Sequence, residues 1–315
     1  MTIINYYKCL NELYHSIPHI RLIPLVSNQV NKFKMKTILY ATDYSKNAET
    51  AIKYAHVLSS KMGATLLVIH IYNLPLILGL ELEAFYDELD KTTFKKNQTK
   101  LINFCKKHLD KNLNLLNVKT YAFEDLSVVH GIISKASQHK ASMIIIGMKK
   151  ESALKELFMG DTSMDIIEKA PCPVLAIPID ADSQKLKTIV YATDFEEEDI
   201  GAIHQVSQIA RKFKSTIKVV HISTAKESDG KVQMEWFKEM VGQKVTYKKI
   251  EYEVLSSNEV FIALKAYLET ADANLVAMLE RKKSGFLRNL FHRDLVKEME
   301  SFGKIPLLSF NEAKY

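Results

Sequence analysis

Three cysteines in 315 residues are too few and too scattered to hold a chain together. Cys9, Cys105 and Cys172 are odd in number and share no ligand-like spacing, which disfavours a disulfide framework or a zinc site and suits a reducing cytoplasm. No apolar run reaches the ~18 to 20 residues of a membrane span, so no membrane partner is expected. Signatures of catalysis are missing too, with no HExxH, no Ser-His-Asp order and no paired acids. The net charge of +6 is mild, and half of it comes from Lys8, Arg21, Lys32 and Lys34 set against Glu12 in the leader. Nucleic acid is therefore not an expected partner. That leader, residues 1–34, also lacks the continuous apolar core and small-residue cleavage site of a secretory signal.

What is present is a globular composition, 47% hydrophobic and 25% charged, in a chain long enough to bury two cores. Residues 142–178, SMIIIGMKKESALKELFMGDTSMDIIEKAPCPVLAIP, organise the rest. Met143 to Ile146 form the unbroken apolar run of a parallel strand covered on both faces, and Gly147 permits a sharp turn at its end. After Gly160, any of Asp161, Thr162 and Ser163 can cap a helix carrying Met164, Ile166 and Ile167, whose free N–H groups attract an anion. Pro171 and Pro173 stop that helix, and residues 174–177 resume as strand.

Upstream, KTILYA at residues 36–41 reads as strand, and Thr42, Asp43, Tyr44 and Ser45 as turn and cap. In the helix that follows, Ala51, Ile52, Ala55 and Leu58 share a face, and Gly63 ends it. Residues 65–71 form a second strand, the charged stretch 81–106 a surface helix, 118–122 a short strand and 128–138 a helix. Strands alternating with helices indicate a parallel sheet wrapped on both sides. The pattern then restarts. KTIVYATDF from Lys187 matches KTILYATDY from Lys36, an internal duplication at an offset of 151 residues. Later, ANLVAML matches ASMIIIG and KIPLLSF matches PCPVLAI, with the polar residues 180–185 as linker. Each copy closes on an apolar strand that would leave an unpaired edge, so the two closing strands are expected to pair.

KTILYATDYSKNAETAIKYA, taken with residues 147–178, resembles the universal stress protein family in a tandem form covering nearly all of residues 35–310. The resemblance implies two doubly wound, five-stranded parallel domains of the adenine-nucleotide hydrolase-like, Rossmann-like class, paired as an internal pseudo-dimer. The expected domains are 35–180 and a degenerate 181–315, after a leader that is either a flexible extension preceding a true start at Met35 or an ordered extra segment. Some members hold ATP through Gly, two residues, Gly, nine residues, then Gly with Ser or Thr. Here Gly147 and Gly160 keep the outer positions, Lys150 replaces the middle glycine and Asp161 the hydroxyl residue. By the same matching Asp43 contacts the ribose, Ala41, Thr42 and Ile71 lie near the base, and Thr162 and Ser163 face the phosphates, with Mg²⁺ accompanying a bound nucleotide.

The altered residues leave two readings open. Asp161 repels phosphate while Lys150 and the Thr162 and Ser163 hydroxyls offset it, or Asp161 caps its own helix and no nucleotide is held. In the second copy Leu279 or Glu280 replaces the first glycine, LFHRD at residues 290–294 replaces LFMGD, and Glu196, Glu197, Glu198 and Asp199 follow Asp194. That acidic run reads as a solvated helix start, His292 with Arg293 as an exposed basic loop, and no cofactor is expected there. His70 and His221 occupy matching strand ends, which points to shared packing before paired catalytic bases. Cys172, between prolines and without a histidine to activate it, is not a nucleophile, and the LKELFM stripe reads as core.

The functional expectation is a cytoplasmic stress-response protein that acts by binding, gated by ATP in its first domain, with an unidentified protein partner. The alternatives are a weak ATPase of the same superfamily and a nucleotide-independent structural binding module. Because the duplicated unit starts at Lys36, a chain beginning at Met35 is expected to melt within a degree or so of the full chain in calorimetry. A cooperative loss of stability would show that the leader packs on the fold through Ile3, Ile4, Leu22, Ile23 or Leu25.

Overall fold

Among the described residues ten strands lie side by side in one sheet, and its centre is the only place in it where neighbours run antiparallel. The computed structural model describes residues 35–74, 83–150, 157–158, 161–225, 229–280 and 305–311, with backbone alone at 83–90, 149–150, 157–158 and 161. The leader, Gly160 and the basic segment with His292 and Arg293 lie outside the described residues.

The first repeat runs β1 (Thr37–Ala41), α1 (Lys46–Met62), β2 (Thr65–Tyr72), α2 (Glu83–His108), β3 (Val118–Glu124), α3 (Val128–Gln138), β4 (Met143–Gly147), β5 (Lys149–Lys150), β6 (Leu157–Phe158), α4 (Asp161–Lys169) and β7 (Val174–Ile177). The second runs β8 (Thr188–Ala192), α5 (Glu197–Phe213), β9 (Thr216–Ser223), α6 (Gly230–Lys244), β10 (Ile250–Ser256), α7 (Val260–Thr270), β11 (Leu275–Glu280) and β12 (Leu307–Asn311). Across the sheet the order is β10-β9-β8-β11-β12-β7-β4-β1-β2-β3. Each half is thus a five-stranded parallel sheet, doubly wound as the alternation of strand and helix requires.

Strand pleating sends alternate side chains to two apolar layers. Ile38 and Tyr40 enter the layer covered by α1, α2, α5 and α6, while Leu39 enters the one covered by α3, α4 and α7. In α1 the stripe Ala51, Ile52, Ala55 and Leu58 is fully buried. Gly63 closes this helix at φ 65°, where the lack of a Cβ removes the left-handed penalty, and its second-repeat counterpart Lys214 makes the same turn at φ 60°. The charged segment is a surface helix with a seated stripe, since Leu101 and Cys105 of α2 are buried. Two local expectations change. Residues 149–150 and 157–158, expected in a loop, pair as an antiparallel ribbon, and β3 continues two residues further than its alternation suggested.

The closing strands pair as expected, Leu307 with Ala176, Leu308 with Leu175 and Ser309 with Val174. Leu175 and Leu308 hold equivalent places in the two repeats and face each other, so the repeats are related by a pseudo-two-fold axis through this pair. Both would-be edges are hidden. Residues 180–185 follow the fold rather than hang from it: Thr50 Oγ1 donates to the Ile179 carbonyl at 2.7 Å, and Lys185 pairs with Asp272 at 3.4 Å. Leu308→Ala is expected to remove about 2 to 5 kcal/mol from the unfolding free energy in urea, because Leu308 is fully buried where the repeats meet.

Candidate functional site

β1 leads to α1 on one layer, whereas β4 leads to α4 on the other, so the chain leaves these neighbouring strands in opposite directions. A crevice at the carboxyl ends of the strands follows from that reversal. Ala41, Thr42 and Asp43 stand at the exit of β1, Ile71 near the end of β2, and Gly147 at the end of β4. Thr162 and Ser163 occupy the first turn of α4, Thr162 exposed and Ser163 partly so. Lys150 lies in the short strand β5, and Gly160 and the Asp161 side chain fall outside the described residues.

The β1 exit is a compact hydrogen-bonded turn. The Thr42 N–H donates to the Ile69 carbonyl at 3.0 Å, the Thr42 hydroxyl accepts from the Tyr44 N–H at 3.1 Å, and the exposed Asp43 carboxylate accepts from the Ser45 N–H at 3.0 Å. His70 Nδ1 lies 2.9 Å from the Thr42 carbonyl. A carbonyl only accepts, so Nδ1 carries the proton and Nε2 is the bare nitrogen. Burial holds His70 below the ordinary histidine range, and nearby Lys100 pushes the same way, so the ring is neutral around pH 7. Tyr44, at φ 63°, stacks on His70 with ring centres 4.3 Å apart, and the Lys100 ammonium sits 4.0 Å above the Tyr44 ring. His70 reads from sequence as a strand-end packing residue; its added role is to hold the carbonyl of the Thr-Asp turn.

Gly147 departs from expectation. It stays extended in the strand, in register with Ile177 and without a positive φ, because the chain continues through Met148 whose N–H donates to the Ile177 carbonyl at 2.8 Å. A Cβ there would make ordinary contacts, 3.5 Å from the Asn47 carbonyl and 3.6 Å from the Ala51 side chain, so no sharp turn requires this glycine. Asn47, which sequence reasoning passed over, ties the crevice together: its buried amide donates across the gap from α1 to the Met148 carbonyl. A polar residue in the first turn of a helix normally reads as solvated, so nothing in the sequence marked it.

The second repeat repeats the turn and fills it. His221 Nδ1 lies 2.8 Å from the Thr193 carbonyl and 4.0 Å from Asp194, and Phe195 at φ 64° stacks on His221. The acidic run is not wholly a solvated helix start. Glu196 and Glu197 are exposed, but Asp199 is 1% exposed and accepts from the Tyr191 hydroxyl and the Thr193 hydroxyl, each at 2.7 Å, and from the N–H groups of Glu196 at 3.1 Å and Asp194 at 3.3 Å. In the first repeat Ala48 stands there, and Tyr40 donates to its backbone carbonyl instead. The β8–β11 register also places Leu279, not Glu280, at the position of Gly147. Among the described residues no group of three His, Cys, Asp or Glu is arranged to hold a metal ion, and no described helix is long and apolar enough to cross a membrane.

Burial raises the Asp199 carboxyl to about 7, against the pull of the Tyr191 and Thr193 hydroxyls. The folded chain therefore binds this proton more tightly than the unfolded one, and the stability it contributes is complete below the unfolded pKa of 3.8 and lost as pH rises through about 7. Asp199→Asn is expected to flatten the fall of urea-unfolding free energy between pH 4 and 7, and an unchanged slope would show that the carboxyl is ionised throughout.

The universal stress protein family model matches residues 34–178. A universal stress protein of Thermus aquaticus is 32% identical over 148 residues, which cover 45% of this chain and 98% of that protein. One from Methanocaldococcus jannaschii is 25% identical over 157 residues, covering 45% of this chain and 94% of its own. The crystal structure of a universal stress protein from Archaeoglobus fulgidus superposes with a TM-score of 0.66 over 89% of this chain and 99% of that one, at 16% identity, and so shares the fold across both repeats. The Thr-Asp turn, the crevice at the strand reversal and these matches agree: the chain belongs to the universal stress protein family.

Proposed function

We propose that this protein acts in the stress response by binding, and that the binding is regulated by one adenine nucleotide held in the first repeat. The domains in this reading are 35–180, which takes the nucleotide, and 181–315, which does not, with residues 1–34 as an extension. The observation that carries it is the difference between the two crevices: the second repeat closes its Thr-Asp turn with its own buried Asp199 carboxylate, whereas the first has Ala48 there and leaves Asp43 exposed. In the first crevice Asp43 takes the ribose, Ala41, Thr42 and Ile71 flank the base, and Gly147, Lys150, Gly160, Thr162 and Ser163 surround the phosphates, with Mg²⁺ neutralising them. The amino end of α4 favours anionic charge. The family resemblance supports this assignment, and the cytoplasm is its natural setting.

Binding is kept ahead of turnover in this reading, with the histidine at each strand end holding its turn through Nδ1 against a backbone carbonyl. A weak ATPase would instead release phosphate from ATP, and a nucleotide-independent binding module would retain no nucleotide on purification. Those two measurements separate the readings, and titration calorimetry with ATP tests the assignment of the site. One site per chain is expected. Asp43→Ala weakens it by roughly 1 to 3 kcal/mol, Asp161→Ser strengthens it by removing repulsion, and Asp194→Ala leaves it unchanged. Two sites per chain, or sensitivity to Asp194 alone, would overturn the assignment.

A further inference from the structure

Helix α4 belongs to the first repeat, yet its carboxyl end is held by the second. Asn311 of β12 donates its side-chain N–H to the Glu168 carbonyl at 2.8 Å, one of the carbonyls that the end of a helix leaves without a partner. In the β11–β12 register Asn311 lies beside Glu280, and Ser309 beside Met278, on the same face of the sheet. Glu280 is 8% exposed and its Oε2 meets no donor among the described residues; Ser309 is 2% exposed and its hydroxyl is also unpartnered. The matching positions of the first repeat, read from the same registers, are Met148, Ala176 and Pro178. One repeat is apolar where the other carries a carboxyl, a hydroxyl and an amide, and that asymmetry lies where the repeats meet.

A carboxylate in this position is costly: it is buried, Glu168 near the carboxyl end of α4 acts on it unfavourably, and its neighbour Asn311 is the residue that reaches that helix end. Among the described residues little offsets that. From α4, Lys169 is engaged by Asp165 at 2.8 Å. β12 brings the uncharged Ser309 and Asn311, β8 brings Ala192 beside Met278, α7 brings Leu264 and Leu268 to this layer, and α5 packs on the opposite face. Among the described residues Glu168 is the charged group that acts on Glu280.

We propose that Glu280 is a proton-operated latch between the repeats: neutral, it lets the carboxyl end of α4 rest under Asn311, and ionised, it repels Glu168 and the helix end and releases them. Burial first and Glu168 second raise this carboxyl from 4.5 to about 7, so the latch is closed in mild acid and opens as pH rises through neutrality. The other end of α4 carries Thr162 and Ser163. If that end grips phosphate, a clause that rests on the nucleotide reading above, ATP affinity falls as the latch opens.

Hydrogen exchange of the full chain without nucleotide, followed by mass spectrometry at about pH 6 and pH 8 and corrected for intrinsic rates, tests it. Protection of α4 amides is expected to fall by about tenfold across this range while β1 amides hold, since with a pKa near 7 the neutral fraction of Glu280 drops from roughly nine-tenths at pH 6 to roughly one-tenth at pH 8. Glu280→Gln, and independently Glu280→Met with the residue of the first repeat, should keep at pH 8 the protection seen at pH 6. A flat wild-type profile, or the same fall in both variants, overturns the latch. Because exchange is read without ATP, failure of ATP to bind at either pH would overturn the nucleotide reading and leave the latch standing.

Discussion

The antiparallel pairing of β7 with β12 is the contact on which the rest of the molecule depends. A parallel five-stranded sheet with a closing apolar strand has an edge it cannot leave in water, and the duplicated sequence supplies an equivalent edge of the right shape. Pairing like with like about Leu175 and Leu308 turns two sheets into one and makes both apolar layers continuous from β3 to β10. It also carries α4 over β12, where a side chain of one repeat can cap a helix of the other. The chain thereby gains covalently what a symmetric dimer obtains by association.

Within that symmetric frame the two crevices have diverged. Each keeps the Thr-Asp turn, the histidine bonded to the threonine carbonyl and an aromatic residue at positive φ, Tyr44 in one and Phe195 in the other. A bulky side chain in that conformation costs on the order of 1 to 3 kcal/mol, offset by the threonine hydroxyl that accepts its N–H and by the histidine on which it stacks. Since the strain appears in both repeats, it belongs to the scaffold and not to a ligand. The difference is the residue behind the turn. Asp199 draws two hydroxyls and two backbone N–H groups onto one buried carboxylate, while Ala48 cannot. A single acidic residue thus fills the space behind one turn that an alanine leaves without polar groups behind the other.

The sequence by itself determined the alternation of strand and helix, the duplication, the equivalence of the two closing strands and the Thr-Asp turn, because each is written in local periodicity or in direct identity between the copies. Hydrophobic period reports which side of an element faces a core, and an unpaired apolar edge implies its own partner. The tertiary structure alone decided the polar contacts. Asn47 meets the carbonyl of Met148 and Asn311 that of Glu168 across separations of 101 and 143 residues, and neither asparagine differs locally from a solvated one. Gly147 looked like a turn and proved to be strand, since the register with Ile177 carries the chain straight on. Asp199 looked solvated among its acidic neighbours, and Glu280 fell at the end of an apolar strand where its sequence marked no role. Burial of a polar group follows from what packs over it, and what packs over it comes from elsewhere in the chain.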